Sequence, residues 1–132
     1  MCKNYKEIIS THKAPKAIGP YSQAIKAGSL LFISGQGAID PVTQEYQPLG
    51  IEEETIMTIN NLKSILEEAG SSLDKVLKTT IYLKNMDDFP MVNKIYAEFF
   101  QHQPPARSTI EASALPKGFK VEIDAIALIS NK

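Results

Sequence analysis

The sequence predicts a single α+β domain in which two helices cover one face of a mixed β-sheet. The chain has 132 residues, which suits one domain of residues 1–132 with a core that needs no disulfide or structural metal. Apolar residues recur with helical spacing in two segments and alternate with polar residues in several others. The segments follow the order three strands, helix, strand, helix, two strands, and helices distributed in this way pack on one face of a sheet.

The first part of the chain predicts three strands followed by an irregular segment. Residues 5–10 read as a short strand, and the extended runs 21–27 and 30–34 flank Gly28-Ser29 as a hairpin. Residues 35–50 contain three glycines and two prolines, so we predict no regular structure there.

The middle of the chain predicts two helices around a strand. Residues 51–69 are the clearest helix, because apolar residues form one stripe and three glutamates occupy the first turn, where the helix dipole favours negative charge. Residues 76–84 alternate as a half-buried strand, with Leu77 on the buried face. Either aspartate of Asp87-Asp88 can cap a second helix, which runs to about residue 100.

The end of the chain predicts two more strands. These are residues 107–113 and 119–129, separated by Leu115-Pro116-Lys117-Gly118. The last strand is apolar on both faces near its end, and a strand of this kind needs cover on both sides. The sheet face without helices must therefore be either solvated or packed on another subunit, and the apolar last strand favours the second. The apolar residues of the two faces are Ile126 and Leu128 on one side, and Ile123, Ala125, Ala127 and Ile129 on the other.

The overall composition argues against several classes of protein. A formal net charge of -1 and a pI of about 6.1 do not suit a nucleic-acid binder held by a basic surface. No stretch approaches the ~20 apolar residues of a membrane span, and the N-terminus lacks an apolar run of signal-peptide length. Cys2 is the single cysteine, which excludes an intrachain disulfide and suits a reducing compartment such as the cytoplasm.

The common motifs for metal, nucleotide or triad chemistry are missing from the sequence. Gly35-Gln36-Gly37 is an isolated Gly-x-Gly that we interpret as a strand end, because no phosphate-binding loop follows it. His12 and His102 stand alone, and no set of residues has zinc-ligand spacing or forms a nucleophile elbow. We therefore predict a protein without metal or cofactor.

One pair of charged residues remains as a candidate site. Arg107 begins a predicted strand, and its planar guanidinium is suited to a carboxylate. Glu122 lies in the following strand, so the two side chains would meet if these strands pair. An ordinary cross-strand ion pair explains the same pattern, and from patterning alone it is the more frequent explanation.

Residues 105–123, with the sequence PARSTIEASALPKGFKVEI, resemble the signature of the RidA/YjgF family of reactive intermediate deaminases. The resemblance continues along the chain from about residue 5 to residue 129, with matching order and spacing. It includes AIGPYSQA at 17–24, FISGQ at 32–36, EEAG at 67–70, VN at 92–93 and EIDAIA at 122–127.

The resemblance implies a chorismate-mutase-like α+β fold and a homotrimer with sites in the clefts between subunits. It also implies hydrolysis of enamines and imines released by pyridoxal-phosphate enzymes, such as 2-aminoacrylate and 2-aminocrotonate, to 2-keto acids and ammonia without a cofactor. Some relatives are instead described as translation-inhibiting ribonucleases, and others as regulatory or chaperone-like binding proteins. The acidic pI counts against the first alternative, and a second charged residue beside Arg107 counts against a pure carboxylate binder.

The resemblance also assigns roles to individual residues. Arg107 would bind the substrate carboxylate, Glu122 would orient and activate the attacking water, and Tyr21 would line the pocket. Packing or surface roles are the competing interpretations for Tyr21 and for several of the other pocket residues. Pro104 stands where many members carry an aromatic residue, which leaves the preferred side chain of the substrate open. The further substrate-binding residues would be Ser34, Gly35, Phe89, Asn93 and Thr109.

Overall fold

The structure is a computed structural model that describes residues 6–129. The α+β class and the predicted order of the main elements are confirmed, and one short hairpin is added. Cys2 and Tyr5, the first residue of the first predicted strand, lie outside the described residues. The strands are β1 (Lys6–Ile9), β2 (Ala24–Ala27), β3 (Leu30–Gln36), β4 (Ile39–Asp40), β5 (Glu45–Tyr46), β6 (Val76–Leu83), β7 (Ala106–Glu111) and β8 (Val121–Leu128), and the helices are α1 (Ile51–Glu68) and α2 (Phe89–Phe99).

The main sheet has six strands in the order β1-β2-β3-β8-β6-β7. Strands β6 and β7 run parallel and are joined through α2, as a parallel pair requires a crossover connection. The other neighbouring strands are antiparallel, so the sheet is mixed, as predicted. Strand β8 lies between β3 and β6, and β7 forms an edge. Strands β7 and β8 are therefore consecutive in sequence but do not pair.

Both helices pack on the same face of the sheet, where the core lies. The predicted apolar stripe of α1 is buried there, and so are alternate residues of β8. The alternation leaves Glu122 and Asp124 on the opposite face, because successive side chains of a strand point to opposite sides. The buried residues of these two elements include Ile59, Leu62, Ile65, Leu66, Val121, Ile123, Ala125 and Ala127.

The sheet face without helices carries exposed apolar side chains. Phe32 and Leu128 are 42% and 41% exposed, and Ile8 and Ile110 are also exposed on this face. The prediction that the last strand is apolar on both sides is confirmed, and within the described residues only one of its sides is covered. None of the helices within residues 6–129 is long and apolar enough to cross a bilayer.

The segment 35–50, predicted to be irregular, forms the two-stranded hairpin β4–β5. The Asp40 carboxylate accepts a hydrogen bond from the Val42 amide at 2.8 Å, and Gln44 has the left-handed φ of 63° that closes the turn. Asn61 of α1 donates to the carbonyl oxygens of Gly37 and Ile39, each at 3.0 Å. These bonds tie the segment to the helix. Strands of two residues are too short to give a periodic signal in the sequence.

Two local predictions are wrong. Leu77 is exposed rather than buried, because the pairing of β6 with β8 shifts register at that position and Val76 takes the buried place. The side chain that caps the second helical segment is Asn85, which accepts from the Asp87 amide at 2.9 Å at the start of a short 3-10 turn. Asp88 precedes α2 without a side-chain capping bond.

Candidate functional site

Glu122 lies near the start of β8 on the sheet face without helices, opposite Tyr82 of β6. Its carboxylate lies directly against the backbone of Gly35, where an added Cβ would overlap Glu122 Oε2. A glycine at this position of β3 therefore lets the carboxylate occupy the strand surface. This contact brings together two residues that the family resemblance predicts as site residues.

The pKa of Glu122 is raised above its ordinary value of 4.5, first because burial disfavours the charged form and second because Asp124 adds negative charge. Asp124 lies two residues along the same face and accepts a hydrogen bond from the Tyr82 hydroxyl at 3.1 Å. A carboxyl group with a raised pKa is better able to take up and return a proton near neutral pH.

Glu122 lines a cavity of about 390 Å³, which we call the Glu122 recess. The Ser34 hydroxyl donates to the carbonyl oxygen of Ser22 at 2.6 Å, so only its lone pairs face a ligand. The Tyr21 hydroxyl accepts from the Ile18 amide at 3.4 Å, and the ring is partly exposed. Further lining residues are Gly35, Ile39, Pro116, Phe119 and the lysines Lys16 and Lys117.

Arg107 lies on β7, on the opposite face of the sheet. Its guanidinium carbon is 4.9 Å from the ring centroid of Tyr96 and 5.4 Å from that of Phe89. Tyr96 is itself fixed by a hydrogen bond of 2.7 Å with Thr79. Cation–π contacts of this kind hold a guanidinium in place without neutralising its charge.

The guanidinium borders a second, more open concavity of about 410 Å³, which we call the Arg107 recess. Asn93 also lines this recess, together with Pro104 and Pro105. Within residues 6–129 the one ion pair joins Lys120 and Glu54, so Arg107 has no carboxylate partner there. The described residues therefore leave this cation without an anionic partner of their own.

The structure divides the predicted site residues into two groups. Tyr21, Ser34, Gly35 and Glu122 share the Glu122 recess, whereas Phe89 and Asn93 accompany Arg107. The cross-strand contact between Arg107 and Glu122, which required β7 to pair with β8, is not formed, because β6 separates the two strands. Thr109 pairs with Ile81 on the helix side of the sheet and lines neither recess.

One buried charged group, Glu54 of α1, was not predicted from the sequence. It was interpreted only as an acidic residue of the first helical turn, yet it is 0% exposed. It accepts hydrogen bonds from the Tyr46 hydroxyl at 2.6 Å and from the Lys120 amide at 3.1 Å. Burial, and then the hydrogen bond and charge of Glu54, raise the pKa of Tyr46, which keeps that hydroxyl protonated. The signal was available in the helical spacing of Glu54, Thr58, Asn61 and Ile65, all of them buried.

In the part of the chain that the structure describes, no three histidine, cysteine or acidic side chains are grouped closely enough to hold an ion. What the two recesses offer is positioning and proton transfer: a fixed cation in one, and in the other a carboxylate of raised pKa beside polar and apolar walls.

The fold and the two recesses define a small α+β protein that holds a guanidinium and a proton-accepting carboxylate in separate places. A family model described as Endoribonuclease L-PSP matches residues 11–129. The chain belongs to this family, the RidA/YjgF family, so the resemblance found in the sequence is confirmed.

Individual relatives support the same assignment. A RutC family protein of Pyrococcus horikoshii is 54% identical over 122 residues, which are 92% of this chain and 97% of that protein. The 2-iminobutanoate/2-iminopropanoate deaminase of Mus musculus is 46% identical over 123 residues, or 93% and 91% of the two chains. The crystal structure of YyfA, a Rid family protein of Yersinia pestis, gives a TM-score of 0.92 at 46% identity and covers 95% of this chain and 100% of that one.

Proposed function

We propose that the protein hydrolyses reactive 2-imino acids and their enamine tautomers to 2-keto acids and ammonia, in sites completed by neighbouring copies of the chain. The observation that carries this proposal is the division of Arg107 and Glu122 between two recesses on opposite sheet faces, each open to an outside group. The name of the mouse relative supports the reaction type. We take 2-aminoacrylate and 2-aminocrotonate, released by pyridoxal-phosphate enzymes, as the first substrates to test.

Arg107 would bind the substrate carboxylate. A guanidinium makes charge-assisted, bidentate hydrogen bonds to a carboxylate and cannot lose its proton at physiological pH. The rings of Phe89 and Tyr96 already fix its position, so little side-chain entropy is lost on binding. Phe89 and Asn93 would complete the wall on this side, and Thr109 would act only through the strand that carries Arg107.

Glu122 would supply the proton transfers. As the water oxygen bonds to C2 of the protonated imine, the carboxylate takes a proton from the water. The protonated Glu122 then returns this proton to the nitrogen, and the C2–N bond breaks. Ammonia leaves as the C2–O double bond forms, and the remaining hydroxyl proton passes to the Glu122 carboxylate. Transfer of this proton to the ammonia restores the carboxylate and gives a 2-keto acid and an ammonium ion.

The neighbours of Glu122 would hold the water and the imine nitrogen. Gly35 leaves the carboxylate room at the strand surface, Ser34 offers acceptor lone pairs, and Tyr21 stands at the opening of the recess. A protonated imine is already a strong electrophile, so such a site needs to provide mainly orientation.

A homotrimer would bring the two recesses together. The surface that carries Arg107 would meet a different surface that carries Glu122, and contacts between unlike surfaces form a ring when the rotation between neighbouring copies closes. The exposed apolar side chains of the open sheet face, including Phe32 and Leu128, support burial in such an assembly. That the ring has three members rests on the family resemblance. A scattering mass of a monomer at micromolar concentration would contradict this part of the proposal.

We also propose that the protein acts in the cytoplasm, in amino-acid metabolism, without a metal or cofactor. The single cysteine supports a reducing compartment. Exhaustive chelation should leave the activity unchanged, and loss that one added metal restores would contradict this statement.

The decisive experiment couples the purified protein to a serine or threonine dehydratase and measures the rate of keto-acid release. We expect the protein to abolish the lag that spontaneous hydrolysis of the imine imposes. An unchanged lag at protein concentrations equal to those of the dehydratase would refute the deaminase function. The description of the matching family model makes RNA the second substrate to test, and cleavage that disappears in Arg107→Ala would favour that alternative.

A further inference from the structure

Glu54 is the most deeply buried charged group of the described residues, and the proposed reaction does not use it. Four groups surround its carboxylate: the Tyr46 hydroxyl at 2.6 Å, the Lys120 amide at 3.1 Å, and the Leu49 amide and Lys120 ammonium at 3.3 Å each. Removing a carboxylate from water is unfavourable unless charge and hydrogen bonds compensate for it. A buried carboxylate with four partners holds the groups that bind it in fixed positions.

The segment that Glu54 fixes is the one that carries Phe119. Lys120, on one side of Phe119, is held through its amide and its ammonium group. The Gly118 carbonyl, on the other side, lies 3.2 Å from the Tyr46 hydroxyl. The Lys120 side of Phe119 is thus bonded to the Glu54 carboxylate itself, and the Gly118 side is linked to it through the Tyr46 hydroxyl, which shares its one proton between the two acceptors.

The Phe119 ring is held from two further directions. The Tyr46 ring meets it edge to face, with the centroids 5.0 Å apart and the planes at 81°. On another side the Phe119 ring packs against the Cα of Gly37, where an added Cβ would overlap the ring. The ring is therefore a rigid surface, and it lines the Glu122 recess three residues from Glu122 itself.

The geometry assigns Phe119 as the residue that determines how long a substrate side chain the site accepts, with Glu54 and Tyr46 as its positioning residues. The inference rests on the proposed function. With the carboxylate at Arg107 and C2 beside Glu122, the side chain must lie against the apolar walls, which are Phe119, Ile39 and Pro116. A wall that cannot move favours short side chains over long ones.

The alternative is that this cluster serves folding alone. In that case variants of Glu54, Tyr46 and Phe119 would reduce the binding of every ligand and the deamination of every substrate by the same factor, which is the loss of folded protein. A selectivity ratio separates the two roles, because a loss of folded protein cancels in the ratio and a displaced wall does not.

The test measures binding of 2-oxobutanoate and of 4-methyl-2-oxopentanoate by calorimetry, and deamination of the two corresponding imines. Tyr46→Phe keeps the ring and removes only the hydroxyl, and Phe119→Leu shortens the wall. We expect Phe119→Leu to shift the ratio of dissociation constants towards the longer acid by at least about 10-fold, the lower end of the discrimination that one methylene group gives. Tyr46→Phe and Glu54→Gln should shift it in the same direction by less.

Thr55→Val serves as the matched control. It removes a buried hydroxyl on the same helix, which donates to the Ile51 carbonyl oxygen at 2.7 Å, without touching the recess. Its ratio should equal that of the wild type. An unchanged ratio in both Tyr46→Phe and Phe119→Leu, in a wild type that deaminates, overturns the inference and leaves the proposed function standing. A wild type that binds the acids without deamination refutes the function, and the binding ratio still decides the inference. Binding of neither acid overturns both.

Discussion

The Glu122 recess and the Arg107 recess are built in different ways. Glu122 lies in a cavity with walls from several parts of the chain, and its charge is disfavoured by burial and by Asp124. Arg107 lies on the edge strand β7, supported by two aromatic rings and bordered by an open concavity. The surroundings of Glu122 disfavour its negative charge, whereas the surroundings of Arg107 fix a positive charge at an open surface.

This difference indicates which part of the proposed reaction the Glu122 recess and the Arg107 recess could each perform alone. The Glu122 recess can hold a water and a small apolar side chain, but the cations on its lining are the exposed lysines Lys16 and Lys117. An ammonium on a flexible stem lacks the planar fork that orients a carboxylate. Under the proposed function, a single chain therefore carries Glu122 for proton transfer and Arg107 for the carboxylate without bringing them to one substrate.

The largest effect should come from Glu122→Gln, which keeps the shape of the side chain and removes its basicity. Because general acid–base catalysis contributes ~10²–10⁴-fold, the turnover number should fall by at least ~100-fold. Binding of 2-keto acids should persist in the variant. A raised Michaelis constant with an unchanged turnover number would show that Glu122 only braces other groups. Circular dichroism and scattering mass must first match those of the wild type.

Arg107→Ala should have the next largest effect. A hydrogen bond to a charged group is worth ~1.5–3 kcal/mol, so the loss of catalytic efficiency should be at least ~10-fold. Arg107→Lys should restore it only in part. Lys117→Ala, which removes a cation from the edge of the other recess, is the comparison variant and should cost less than about threefold, as a solvent-exposed charge pair would. Equal losses of catalytic efficiency in Lys117→Ala and Arg107→Ala would contradict the proposal that Arg107, rather than a cation of the Glu122 recess, binds the substrate carboxylate.

Mixing Arg107→Ala with Glu122→Gln tests whether the two recesses act together across a subunit boundary. If Arg107→Ala and Glu122→Gln subunits exchange at random in a ring, about a quarter of the interfaces combine an intact Arg107 with an intact Glu122. Activity should rise to about that fraction of the wild-type value. The separately assembled variants, mixed without exchange, are the control. No recovery after verified exchange would mean that each site lies within one chain.

The smallest effect concerns stability. Since the pKa of Glu122 is raised in the folded state, the wild type loses stability as pH rises from the ordinary value of 4.5 through the folded value. Glu122→Gln lacks this loss, so it should be the more stable protein at pH 7 and should lose the advantage at pH 4. Thermal unfolding at equal protein concentration measures the difference. A variant that is less stable than the wild type at pH 7 would contradict the raised pKa.

The positions of individual helices and strands could be predicted from the sequence, whereas the order of the strands in the sheet could not. The periodic apolar residues of α1 and the alternation in β6 and β8 predicted the elements closely, because burial on one face imposes these periods. The position of β8 between β3 and β6 depends on pairing between distant residues, which no local pattern records. The meeting of Arg107 and Glu122, which depended on pairing of β7 with β8, is not formed within a chain for that reason.

The same distinction applies to the candidate site. The family resemblance proposed Tyr21, Ser34, Gly35 and Glu122 as site residues. The structure brings these four together in the Glu122 recess. The burial of Glu54 was missed because three consecutive glutamates were interpreted only by their place in the first helical turn, although helical spacing from Thr58, Asn61 and Ile65 puts Glu54 on the inward stripe.

The place of β8 in the sheet has a consequence for synthesis. Residues 121–128 leave the ribosome after all the other strands and helices of the described chain, yet they form the strand that joins β3 to β6. Until they emerge, the nascent chain can form the β1–β2–β3 meander and the β6–α2–β7 unit but cannot connect them. The apolar stripe of α1 has no complete sheet to cover during that interval. The complete sheet therefore forms only after β8 is available, and until then the exposed stripe of α1 is the surface on which a chaperone would act.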